Sequence, residues 1–242
     1  MASSSVVGEA FTAFYHGWLL NQDAIFEQLE SFLSAAAAAE GEEDYEQCSG
    51  LVGRVLAHYQ EYYAEKTKAA DEDVFVFFAA PWMSRLEQSF LWLSGFKPSM
   101  LLWVVESSMG GGALTEEQWC KVGMLRAETA RVENAISKAM ASAQETVAAP
   151  PMLGLLKRGE EELVDGAVSQ LDAVMGDLKQ SMGRLMGNAD ALRGSTASKI
   201  LEILKPKQAV KFLTAVMRFQ REARRWGLYK DSQREATSTL TE

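Results

Sequence analysis

Two cysteines, two histidines and five prolines are all that this chain of 242 residues holds of those three types. So few cysteines exclude a disulfide framework, and Cys48 and Cys120 are expected to be reduced thiols. The histidines, His16 and His58, leave little for nucleophilic or metal chemistry. No Gly-x-Ser-x-Gly, His-Glu-x-x-His or Cys-x-x-Cys occurs, and His16, Cys48, His58 and Cys120 lack the spacing of a structural zinc site. The Glu-x-x-His pairs that a di-metal bundle needs are missing as well. No Lys or Arg precedes Arg54, so the N-terminus has neither the charged leader of a signal peptide nor the arginines of a transit peptide. Apolar runs such as Met100 to Val105 fall far short of the ~20 residues that span a bilayer. No segment alternates apolar and polar residues like a strand.

What is there reads as helix. Apolar or seam positions run Phe11, Tyr15, Trp18, Gln22, Ile25, Leu29 and Phe32, alternately four and three apart, which keeps one face of a helix toward a partner. Gly41, followed by Glu42, Glu43 and Asp44, ends that helix and supplies acids for the next first turn. A second helix over about 44–70 carries Leu51, Val55, His58 or Tyr59, and Tyr62 on one side. Thr115-Glu116-Glu117-Gln118 is a capping box opening a long helix whose seam runs Gln118, Val122, Leu125, Thr129, Val132, Ile136, Ala139 and Ala143, with Pro150-Pro151 as its stop. A second long helix over about 159–193 has Val164, Leu171, Met175, Leu178, Met182, Leu185, Ala189 and Leu192 on its seam, with Gly194 as its C-terminal residue. Joined by a short link, the two should lie antiparallel. A short helix over 195–204 precedes a last helix with Phe212, Val216, Phe219, Ala223 and Trp226 on one face. The expected class is all-α: an antiparallel multi-helix bundle with two long helices and an aromatic corner. A single domain should cover 9–231, between a frayed N-terminus (1–8) and a disordered tail (232–242).

The corner is Pro81 to Ser99. It holds Trp82 and Trp92, and Gly95 and Pro98 break it where one short helix should end and another begin. Gly110-Gly111-Gly112 is a turn and not a phosphate cradle, because Ala113-Leu114-Thr115 follows where Gly-Lys-Ser/Thr would be needed.

The net charge of -9 opposes broad affinity for nucleic acid or anionic membrane, but it is unevenly spread. Lys205 to Arg234 holds nine Lys or Arg against two carboxylates, a local +7, which leaves -16 on the remainder. The last helix is therefore expected to dock on the acidic body or on an acidic partner, with Lys211, Arg218, Arg221 and Arg225 as the candidate partner surface. Nucleic acid is the third reading. The methionines Met175, Met182 and Met186 are expected as core filler, with an apolar pocket as the alternative.

A set of motifs, in order, resembles the Delay of Germination domain of plants, which also forms the C-terminal part of TGA-type basic leucine zipper factors. They are Phe14-Tyr15 with Trp18-Leu19; Ala57-His58-Tyr59; Asp73-Val74-Phe75; Trp82 with Arg85, Glu87 and Phe90-Leu91-Trp92-Leu93 through Gly95-Phe96-Lys97-Pro98-Ser99; Leu114-Thr115 with Gln118; and Ala189 to Arg193. The resemblance covers nearly the whole chain and implies a stand-alone member. Within its motif, Trp18, His58, Tyr59, Trp82, Glu87, Phe90, Trp92 and Gly95 are expected in the core. It implies a non-enzymatic regulator of seed dormancy, abscisic acid response or development, in nucleus or cytoplasm, acting on other proteins, type 2C protein phosphatases among them. The alternative it implies is transcription regulation, with TGA-type factors as partners. DNA association would then be indirect, because no basic region precedes the motif. Where haem is linked to the family, histidines of the last helix matter; Gln220 and Arg224 stand in that region here, so no cofactor is expected. An apolar-ligand-binding bundle and a homo-oligomer stay open.

Overall fold

A computed structural model describes residues 2–38, 45–110, 112–147 and 165–238. The expected turn at Gly41–Asp44, the stop at Pro150-Pro151 and the seam residue Val164 lie outside the described residues, as does the side chain of Leu171.

The described residues form eight helices: α1 Ala2–Ala38, α2 Tyr45–Glu72, α3 Phe75–Ala79, α4 Arg85–Ser89, α5 Ser99–Ser108, α6 Glu116–Val147, α7 Asp165–Ile203 and α8 Pro206–Ser238. Among them the only extended pairing is an isolated bridge between Leu91 and Phe96. The four-three periodicity of α1 becomes burial: Phe11, Tyr15, Trp18, Gln22, Ile25 and Leu29 all lie inside. The expected frayed N-terminus is helical from Ala2. Val7, one turn before Phe11, extends the same seam onto Val76 and Phe77 of α3, and that burial holds the first turns in place.

α6 and α7 run antiparallel. Gln118 meets Ile203, Glu128 meets Lys199, and Thr129 meets Thr196, so numbers rise on one helix as they fall on the other. The capping box forms as read, with Thr115 N–H on Gln118 Oε1 at 3.0 Å and Gln118 N–H on Thr115 Oγ1 at 3.2 Å. Three expectations fail along this pair. Ala139 is exposed and Met140 packs in its place. Met175 is exposed as well. Gly194 ends nothing, because α7 continues through it to Ile203. Arg193 and Thr196 on either side of it are buried, and their packing keeps the backbone helical across a residue of low propensity.

The expected tail is also helical, and α8 runs through Ser238, with 239–242 outside the described residues. Asp231 accepts the backbone N–H of Arg85 at 3.0 Å, tying this part of α8 to the start of α4. Close approach makes that junction possible: a Cβ on Gly227 would collide with the Ser84 side chain. Trp226, expected on the apolar face of α8, is half exposed instead.

Candidate functional site

The corner is built on buried charge. Ser84 caps α4 and Glu87 completes a second capping box that the sequence reading missed, although Ser-Arg-Leu-Glu carries its signature. The Glu87 carboxylate, 4% exposed, accepts the Ser84 N–H at 2.9 Å and its hydroxyl at 2.7 Å. It also pairs with Arg224 of α8 at 3.3 Å. Arg224 donates to the Trp82 carbonyl as well. Four partners thus satisfy two charges taken out of water.

Beyond α4 the chain makes a tight turn, with Trp92 N–H on Gly95 C=O at 2.7 Å. Leu93 and Ser94 both take positive φ, 48° and 59°, a conformation that favours glycine or asparagine. The turn is held from outside. Arg193 donates to the carbonyls of Trp92, Leu93 and Phe96, and Lys66 to that of Ser94 at 3.1 Å. Asp190 joins the two cations, 2.8 Å from Lys66 and also paired with Arg193. Burial pushes the Lys66 ammonium down to about 8 against the pull of Asp190. Gly95 does not end a helix here: a Cβ on it would lie 2.8 Å from the Arg193 guanidinium carbon, so only glycine admits the arginine. Lys66 escaped the sequence reading, although it continues the spacing His58, Tyr62, Lys66, Ala70 along the α2 seam.

A second polar centre joins α1, α2 and α8. Trp18 stacks on His58, centroids 4.2 Å apart and planes 7° from parallel, and donates its indole N–H to the His58 carbonyl at 2.9 Å. The His58 ring takes a hydrogen bond from Asn21 at Nδ1, 3.3 Å, which links α2 to α1; Nε2 has no partner among the described residues. Burial lowers His58 to about 4, keeping it neutral. Tyr59 donates to Gln220 Oε1 at 2.6 Å, and Gln22 donates to the same oxygen at 2.7 Å. Trp82 is buried against Phe11, Tyr15 and Phe77. Of the motif residues, Trp18, His58, Trp82 and Glu87 are buried, while Tyr59, Trp92 and Gly95 are half-buried. Phe90 is not core. It is 36% exposed, because α4 ends one residue earlier and turns its ring to the edge, against Phe96 and Phe219.

The candidate basic surface is largely spent within the molecule. Arg218 pairs with Glu30 of α1, and Arg221 pairs with Asp23 at 2.8 Å while its guanidinium lies 4.2 Å from the Phe26 ring centre. Arg225 is exposed and among the described residues makes its ion pair with Glu222 on its own helix. Lys211 makes no ion pair among the described residues and lines a basic cleft with Lys207 and Arg218. The helix does dock on the acidic body, at α1. A cleft of about 620 Å³ opens beside this seam, walled by Tyr15, Trp18, Phe26, Tyr62 and Arg221. Smaller and more apolar, another of about 260 Å³ lies between α2, α5, α7 and α8. Met182 and Met186 line neither; they pack with Trp82 in the core.

Among the described residues no group of three or more His, Cys, Asp or Glu side chains is placed to hold a metal ion. No described helix is long and apolar enough to cross a membrane.

Residues 27–107 match the family model "DOG1: Seed dormancy control". Protein RESPONSE TO ABA AND SALT 1 of Arabidopsis thaliana is 36% identical over 213 residues, covering 86% of this chain and 90% of the relative. Protein ZW2 of Arabidopsis thaliana is 32% identical over 224 residues, 91% of this chain and 97% of the relative. Transcription factor TGA6 of Arabidopsis thaliana is 31% identical over 207 residues, 86% of this chain but 60% of the factor.

Proposed function

The chain belongs to the DOG1 seed dormancy control family, and on that premise we propose that it is a non-enzymatic plant regulatory protein that acts by binding other proteins in dormancy, abscisic acid or developmental signalling. The observation that carries this reading is a patch on α8. Trp226 and Tyr229 meet edge to face at 6.0 Å and both are half exposed, as is Leu228 beside them. Arg225 lies over the Trp226 ring and Lys230 over that of Tyr229. Exposed aromatics backed by cations are the composition of binding hot spots, and large exposed aromatic area is unfavourable in water unless something covers it.

The partners proposed are type 2C protein phosphatases, which the family resemblance suggests, and TGA-type factors, which share this domain. The test is binding of the purified full chain to a purified phosphatase of that class and to a TGA-type factor, by calorimetry. Binding to one of them, weakened at least about tenfold by Trp226→Ser with Tyr229→Ser, is expected. Failure of both to bind at micromolar concentration removes the proposal.

A second reading, transcription regulation in the nucleus, draws on the similarity to TGA6, of which the chain spans 60%. In this reading DNA is reached through a partner, since Arg218, Arg221 and Arg224 are engaged by Glu30, Asp23 and Glu87. No direct duplex binding is expected even at low salt; a salt-sensitive complex with the protein alone would contradict the indirect form.

A further inference from the structure

The smaller cleft has the chemistry of a ligand site. Its floor is Val104, Phe212, Leu213 and Val216, all buried. Ala197 and Gly194 of α7 leave room along one side, and a Cβ on Gly194 would meet no atom within 4 Å. Lys97, paired with Glu133 at 3.5 Å, and Arg193, paired with Asp190, line it, and among the described residues no carboxylate does, although the protein as a whole carries -9.

Tyr63 and Gln220 line this cleft and the larger one alike. Tyr59 and Gln22 both donate to the Gln220 carbonyl, an arrangement that leaves the Gln220 amide N–H pair without a partner among the described residues. The Tyr63 hydroxyl likewise makes no hydrogen bond among them. Burial pushes this phenol up to about 12, so it stays protonated and able to donate. Unused donors, two cationic side chains and an apolar floor make one consistent set.

We propose that this cleft binds a small apolar carboxylic acid, its hydrocarbon body on Val104, Phe212, Leu213 and Val216 and its carboxylate toward the Tyr63 hydroxyl and the Gln220 amide, near Arg193. The donors of Arg193 are already committed to Asp190 and to carbonyls of the corner, so it contributes charge and not a direct clamp. One negative charge suits that arrangement better than a phosphate dianion, which would need more donors than the cleft offers. The inference is independent of the partner-binding reading.

The experiment is titration of the full-length protein with 2-naphthoate, followed by the fluorescence of the probe and by thermal unfolding. Saturable one-to-one binding that raises the melting temperature is expected. Tyr63→Phe should weaken it about tenfold, the effect of one hydrogen bond to a charged group. Ala197→Leu should abolish binding by filling the cleft; this site is half-buried on a helix, and circular dichroism of the variant checks that it folds. The uncharged analogue 2-methylnaphthalene should bind at least tenfold more weakly. No saturable binding, binding unchanged in Ala197→Leu, or equal binding of 2-methylnaphthalene would each overturn the proposal.

Discussion

Lys66 holds Asp190 at 2.8 Å across 124 residues of sequence, and with Arg193 the pair clamps the Leu93-Ser94 turn against α2 and α7. A lysine 1% exposed and bound both to Asp190 and to the Ser94 carbonyl is a junction between elements, not a solvated charge.

Asp190→Ala should therefore be far more damaging than Lys66→Met. The first strips the carboxylate from two buried cations, a loss of about 3–5 kcal/mol. The second leaves Asp190 paired with Arg193 and frees only the Ser94 carbonyl, so less than about half of that is expected. Urea unfolding of the two variants beside the wild type measures the difference, and equal losses would show that the clamp does not work as a unit.

The two corner tryptophans should differ in the same assay. Trp82 is buried against three aromatic rings, and Trp82→Ala should cost about 3–5 kcal/mol. Trp92 is half-buried, donating to Ser137 Oγ at 3.0 Å, so about 1–2 kcal/mol is expected for Trp92→Ala.

Glycine positions separate into opposite signs. Gly227→Ala drives a methyl into Ser84 and should destabilise by about 1–3 kcal/mol by forcing α8 off the start of α4. Gly187→Ala, on the exposed face of α7 with nothing within 4 Å, should stabilise by up to about 1 kcal/mol. Melting temperatures of both variants check the contrast.

His58 makes stability depend on pH. Burial lowers its folded value to about 4 from 6.5, so the unfolded chain binds the proton more readily. The contribution is complete above pH 6.5 and lost as pH falls from 6.5 toward 4, about 2 to 3 kcal/mol across that window. Unfolding measured at pH 7 and at pH 4.5 should show a smaller drop in His58→Gln than in the wild type, and an NMR titration of the ring should place its midpoint well below 6.

The fold was legible wherever an element rests on a local period. Phe11 to Leu29 and Gln118 to Ile136 carry their seams in spacing alone, and the Thr115 box announces its helix within four residues. Family motifs marked Trp18, His58, Trp82 and Glu87 as interior. The helical course at Val7 and the seat of Asp231 rest on contacts with α3 and α4, which composition does not display.

An all-α class, long amphipathic helices and a cationic last helix in an otherwise acidic chain are written in the order of residues alone, since periodicity, capping and local charge are read over a few neighbouring positions. Packing, by contrast, buries Lys66, brings Arg193 against Gly95, carries α7 unbroken through Gly194, and spends Arg218 and Arg221 on Glu30 and Asp23. The physical reason is range. Periodicity and capping are settled within a turn or two of helix, whereas charge pairing, close approach and cleft formation depend on which distant surfaces come into contact once the helices have packed.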